Sequence, residues 1–193
     1  MNEWVFLVEG PAEKELLEAI LPSLIPDADR RRVIPFEGKQ DLEKQLVRRI
    51  RGYQNQNAIF FVIRDQDAHP DCTEIKNHLV ALCREANARR FMVRISCREM
   101  ESFFLADLRA VEDGLKELGV RGIAKHQSSK KFRSPDSLHS PAKELETLTK
   151  GQYQKVLGSR AISPLLDLDN QRSTSFYHLV SGIRRAAQQW AAV

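Results

Sequence analysis

Acidic side chains in this chain collect where apolar runs end. Glu9 follows Trp4 to Val8 (WVFLV), Asp65 and Asp67 follow Ala58 to Ile63 (AIFFVI), and Glu99 and Glu101 follow Phe91 to Ile95 (FMVRI). Lys39 follows a fourth run, Arg32 to Phe36 (RVIPF). If the four runs are parallel strands, all six charged groups share one rim. Carboxylates gathered so closely repel one another unless a cation sits among them, and hard oxygen donors suit Mg²⁺, with Mn²⁺ as its substitute. The D-x-D spacing has its own reason. At a strand end, one acid projects directly off the strand and the other from the turn that follows, so both reach the same crevice.

Each residue also has a plainer reading. Glu9, beside Gly10-Pro11, suits a helix cap and the positive end of the helix dipole. Asp65 and Asp67 lie in a loop with Pro70, where aspartates often form turns. Glu99 and Glu101 fall in an expected first helical turn, and Lys39 reads equally as a solvated charge. What separates the two accounts is the grouping, since unrelated surface acids have no reason to meet at one edge.

The elements that must position these residues follow from periodicity. Short β-branched and aromatic runs alternate with amphipathic stretches over the first hundred residues, the pattern of parallel strands joined by crossover helices. Pro11 suits a helix first turn; Leu17, Ile20, Leu21 and Leu24 form one apolar face, and Pro26 stops the helix. Leu42, Leu46, Ile50 and Tyr53 mark a second helix, and Ile75, Leu79, Leu82 and Cys83 a third. A helical segment starts at Arg98 to Glu101, with Phe103, Phe104 and Leu105 facing inward. Residues 119–141 have loop composition, rich in Gly, Ser, Lys and Pro, and are expected to be mobile. Ala142 to Thr149, Tyr153 to Leu166 and Ser173 to Ala192 read as helices. The expectation is an α/β fold: a mainly parallel four-stranded, Rossmann-like sheet over residues 1–110, with a basic loop and helical extension, 111–193, packed on it as part of one domain.

Composition bounds the function. The 193 residues are 42% hydrophobic and 29% charged, enough to bury a core and too few to house several modules. No apolar run is long enough to span a bilayer, and the N-terminus lacks the basic residues of a signal peptide, so a soluble, cytoplasmic protein without membrane contact is expected. Three cysteines without a C-x-x-C pair suggest neither a disulfide framework nor a thiolate zinc site. The net charge of +4 is mild, yet residues 121–160 carry nine basic groups against three acids. Lys130, Lys131 and Arg133 are the expected contacts to a nucleic-acid backbone, with Arg160 and Arg172 as further candidates.

A strand ending in Glu-Gly (VFLVEG), with Glu13 just inside the helix, and a later strand ending in Asp-x-Asp (FFVIRDQD) resemble the Toprim domain of topoisomerases, DnaG-type primases and OLD-family nucleases. More narrowly, PFEGKQDL, EMESFFLAD and RAISPLLDLDNQRSTSF resemble a family of small uncharacterised bacterial proteins with a Toprim-like core. The resemblance implies a Toprim-like fold and a Mg²⁺-dependent nuclease. It gives acid/base work to Glu9, metal binding to Asp65 and Asp67, and completion of the metal shell to Glu101 and Glu99. It further implies a phage-defence or mobile-element setting and an ATPase partner, since the chain itself has no Walker loop. Lys39 would sit against a phosphate oxygen.

Two competing classes share the sequence. One is a non-catalytic binding or regulatory module, such as a receiver domain phosphorylated on Asp65, although the usual neighbouring acid pair and late lysine are missing. The other is a latent subunit that acts only with its partner. His69 and Cys72 are too few to specify zinc.

Overall fold

The computed structural model describes residues 3–25 and 30–190. Four strands, β1 (Glu3–Val8), β2 (Arg30–Pro35), β3 (Ile59–Asp65) and β4 (Arg90–Ser96), form one sheet in the order β2-β1-β3-β4. Every neighbouring pair is parallel, so the sheet is wholly rather than mainly parallel. Crossover helices follow the first three strands: α1 (Pro11–Ile20), α2 (Lys39–Arg51) and α3 (Cys72–Glu85). Five more α-helices follow among the described residues: α4 (Glu101–Leu105), α5 (Leu108–Gly114), α6 (Pro141–Leu148), α7 (Lys155–Ile162) and α8 (Thr174–Trp190).

The central strands are apolar from Trp4 to Val8 and from Ile59 to Ile63 because both faces of the sheet are covered. Side chains alternate along a strand, and the two sets enter two cores. Val5, Leu7, Phe60 and Val62 pack with Leu42, Leu46 and Ile50 of α2 and Ile75, Leu79 and Cys83 of α3. Trp4, Phe6, Val8, Phe61 and Ile63 pack with Leu16 and Leu17 of α1 and with residues drawn from α4 to α8. The stretch after residue 110 therefore closes the second face of the sheet. Each fully buried aromatic or aliphatic side chain contributes roughly 1.5–3 kcal/mol.

Several expected boundaries move. Leu24 lies beyond α1, which passes at Leu21 into a 3₁₀ turn, and the expected stop at Pro26 lies outside the described residues, as does Ala192. Tyr53 lies past the end of α2, where its hydroxyl donates to Glu3 at 2.7 Å. Tyr153 precedes α7, and a 3₁₀ turn carries the chain on from Ser163. The loop composition of residues 119–141 conceals a pinned segment. Ile123 and Phe132 enter the core, and the Gln127 side chain donates to the carbonyls of Leu105 and Phe132 while accepting from the Leu108 amide. No helix among the described residues is long and apolar enough to cross a membrane.

Candidate active site

Strand register builds the site. Val8 pairs with both Pro35 and Ile63, so β1 stops level with them while β3 runs two residues further, to Asp65 beside Ser96. Glu9 leaves β1 there, and its Oε2 accepts from the Asp65 amide at 3.3 Å. Glu9 does not cap α1: the cap is Gly10, with no side-chain hydrogen bond. Burial and the nearby charge of Asp67 push the Glu9 carboxyl above the ordinary glutamate range.

Asp65 is almost wholly buried and faces acids. Its carboxyl is held well above the usual aspartate range, first by burial and then by the charges of Glu13 and Glu101, with Glu9 adding to them and Lys155 opposing. Glu101, the first residue of α4, is fully buried; its Oε1 accepts from the Tyr153 hydroxyl at 3.0 Å, and burial raises its carboxyl as well. Two oxygens in this pocket, Asp65 Oδ1 and Glu101 Oε2, are buried without a hydrogen-bond partner. Such orphaned acceptors are rare and call for an explanation.

Sequence reasoning passed over Glu13 and Lys155 as site residues. Glu13 sits in the first turn of α1 and is buried, and Lys155 opens α7. The Lys155 ammonium lies 4.0 Å from Glu13 Oε1 and 3.9 Å from Glu101 Oε1. Burial opposes its charge, but the carboxylates of Glu101, Glu13, Asp65 and Glu9 outweigh that and hold it above the usual lysine range. Glu9, Glu13 and Lys155 also line a cleft of about 260 Å³ bounded by the Glu37-Gly38 turn.

The other candidates stand around this pocket. Asp67 occupies a left-handed conformation, φ 54°, and its Oδ2 accepts from Lys39 at 2.7 Å. Arg98, also left-handed at φ 61°, accepts from the Asp67 amide through its carbonyl at 2.6 Å. Non-glycine residues in that region are strained, so two on facing loops mark a rim held in one shape by the structure around it. Asp65 and Asp67 thus divide: the first points into the buried acids, the second toward Lys39. Glu99 accepts from the Ala142 amide at 2.8 Å and so satisfies the first turn of α6.

A model of a family described as a domain of unknown function, DUF4276, matches residues 8–184. The chain belongs to the DUF4276 family. No curated protein matches it. Among solved structures, the C-terminal region of the Burkholderia pseudomallei OLD protein is similar at 17% identity and a TM-score of 0.54, over 95% of this chain and 98% of that one. The C-terminal region of the Xanthomonas campestris pv. campestris OLD protein, phased with iodine, is similar at 16% identity and a TM-score of 0.56, over 100% and 99% of the two chains. These likenesses establish a shared fold.

The donors in the acid pocket of this DUF4276 chain are carboxylates, the ligand type of hard divalent cations, and two of their buried oxygens lack a partner. The pocket is not a finished shell. Among the described residues no group of three acid, histidine or cysteine side chains is arranged to hold an ion, and the Lys155 ammonium compensates the acids instead. Of the expected backbone contacts, Lys131 pairs with Glu144, and Arg160 forms a two-pronged pair with Glu15 at 2.7 and 2.8 Å. Lys130, Arg133 and Arg172 are exposed.

Tyr153 locks the floor of the pocket. Gly158 of α7 leaves room for its ring, which would overlap any Cβ at that position. Tyr153→Phe removes the hydroxyl that donates to Glu101 Oε1 and leaves that buried oxygen with the Lys155 ammonium, 3.9 Å away, as its neighbouring cation. An expected loss of about 1–3 kcal/mol follows, read by denaturant unfolding in EDTA. A change below about 0.5 kcal/mol, the range of ordinary surface substitutions, would show that water already serves Glu101.

Proposed function

We propose that this protein is a Mg²⁺-dependent phosphodiester hydrolase acting on nucleic acid, with a Toprim-like catalytic edge. One observation carries the reading: Asp65 and Glu101 bury carboxylate oxygens without partners, among further acids, at the carboxyl ends of a parallel sheet. That edge is where open α/β sheets bind ligands. Asp65 and Glu101 would give the ion two protein ligands, with water or substrate completing its shell, and the bound ion would neutralise phosphate charge and polarise a phosphate oxygen. Asp67 and Glu99, committed to Lys39 and to α6, support the rim from outside.

Glu9 is the proton carrier in this scheme. It lines the cleft, half-buried, with its carboxyl raised, so it exchanges a proton nearer neutral pH than an exposed glutamate would. Lys39, close to half exposed, retains ammonium protons that can meet a phosphate oxygen while it anchors Asp67. The fold shared with the C-terminal regions of OLD proteins supports a module that works beside another, which would be an ATPase partner in a phage-defence or mobile-element setting.

A latent or non-catalytic subunit is the second reading, favoured by Lys155 standing in for the cation. Labelled single-stranded DNA, duplex DNA and RNA incubated with Mg²⁺, Mn²⁺ or EDTA separate the two. Catalysis requires metal-dependent cleavage that falls roughly 10²–10⁴-fold in Glu9→Gln. Metal binding measured by calorimetry, with no cleavage of any of the three substrates alone or with the partner, leaves only the non-catalytic module.

A further inference from the structure

A second cleft, of about 420 Å³, lies along the free edge of β4, between the start of α3 and the outer face of α8. Lys76, Arg94 and Arg185 line it with His178, and no carboxylate does. Among the described residues none of these three cations forms an ion pair, although the chain holds twenty-six acids. Elsewhere on the surface, basic groups such as Arg109, Lys131, Arg160 and Arg184 have found one.

Arg94 is fixed in place. Its Nε donates to the His178 carbonyl and its Nη1 to the Val93 carbonyl, both at 3.0 Å, which leaves Nη2 undirected. Its guanidinium lies against α8 at Gly182, where a Cβ would come within 2.5 Å of Nη2 and 2.9 Å of Met92 Sδ. A glycine inside a 17-residue helix costs about 1 kcal/mol relative to alanine, so the helix gives up stability to admit this side chain. Burial and the charge of Arg185 both hold Arg94 below the ordinary arginine range. Two guanidiniums drawn together, one half-buried, with no acid between them, oppose folding in the free protein; an anion between them removes the repulsion. The nearby helix starts do not supply the attraction, because Asp71 already accepts from Thr73 and Asp136 from Ser175.

We propose that the β4-edge cleft is a phosphate site, binding one phosphate group through Arg94, Arg185 and Lys76. Phosphate can reach it from a free mononucleotide or from the backbone of a nucleic acid. The cleft adjoins the acid rim through Cys97 and Arg98, so a chain lying on it would continue toward Asp67. If the phosphate belongs to a nucleic acid, the proposal supplies the backbone contact that the nuclease reading needs and rests on that reading for its purpose.

Fluorescence anisotropy on the full chain in EDTA, with labelled AMP and a labelled 12-nucleotide single-stranded DNA as probes, tests it without any cleavage. Lys76 and Arg185 are exposed, so Lys76→Glu combined with Arg185→Glu should fold with an unchanged melting temperature. Tenfold or greater weakening of either probe is expected, against less than threefold for the charge-matched control Lys125→Glu with Lys143→Glu. For the single-stranded DNA, the slope of log K against log salt should fall by about 0.7, for the one phosphate no longer neutralised. Weakening of both probes assigns a mononucleotide site, and weakening of DNA alone assigns a backbone site. Asp65→Asn should leave binding intact, so failure here is read apart from failure of the acid pocket. No saturable binding of either probe, or equal weakening by the control, overturns the proposal.

Discussion

Asp65→Asn is expected to cripple metal-dependent cleavage while making the metal-free protein more stable at neutral pH. The two effects share a cause. Asp65 is about 3% exposed, and its ionised form is opposed first by burial and then by Glu13 and Glu101. Its folded-state carboxyl therefore titrates well above the usual aspartate range. The sign follows from where the proton sits. Below the unfolded value, Asp65 is protonated in both states and does not affect folding. Above it the unfolded chain has released a proton that the native state still holds, so native stability falls as pH rises through the raised folded value. Asparagine keeps the shape and removes that slope. A gain of roughly 1–3 kcal/mol is expected at pH 8 in EDTA, the scale of one buried polar group relieved of an unmet demand. For a chain of this size it amounts to roughly 2–12 °C in melting temperature. Cleavage should fall by about 100-fold or more, as when one preorganised electrostatic group is removed from an active site. Thermal unfolding of both proteins in EDTA at pH 5 and pH 8 is the measurement. If the variant gains nothing between those pH values, the acids around Asp65 are not repelling it, and the case for a cation among them weakens with that result.

The sequence disclosed whatever is local. Runs such as AIFFVI, buried on both sides, announced central strands, and the Leu42, Leu46 and Ile50 spacing announced α2. Glu9 and Asp65 were legible because each directly follows a strand, and strand ends in a parallel sheet share an edge. Glu13 had a signal, four residues after Glu9 and inside the first turn of a helix that starts at the same rim, but an acid there is also what a helix dipole favours. Lys155 had none. It reaches the pocket only because α7 packs back against α1, a contact across some 140 positions that no short-range pattern records. The same blindness affected the basic segment. Nine cations among residues 121–160 looked free in the sequence, yet Lys131 and Arg160 meet Glu144 and Glu15. Arg94 and Arg185, dispersed in the chain, meet only when α8 closes over β4.

Lys155→Met should be the converse of Asp65→Asn: less stable without metal, and rescued by it. The ammonium stands 3.9 Å from Glu101 and 4.0 Å from Glu13, and its loss leaves three buried acids uncompensated. Breaking a fully buried pair costs about 3–5 kcal/mol, but the Lys155 side chain is 53% exposed and solvent screens part of the effect. An expected loss of about 1–2 kcal/mol allows for that. Because the folded-state ammonium is raised above the usual lysine range, its contribution is complete below that range and is lost only as pH rises through the folded value, so pH 7–8 lies on the plateau. A divalent cation answers the same repulsion that Lys155 answers. Mg²⁺ should therefore raise the melting temperature of Lys155→Met by more than it raises that of the native chain, because the ion no longer has to displace or coexist with an ammonium. Titration of Mg²⁺ against melting temperature for both proteins, with Ca²⁺ as a second probe, reads this without reference to cleavage. Equal shifts in the two proteins would mean that lysine and metal do not share the pocket. Loss of stability with no rescue would make Lys155 the resident cation of a site that never takes a metal.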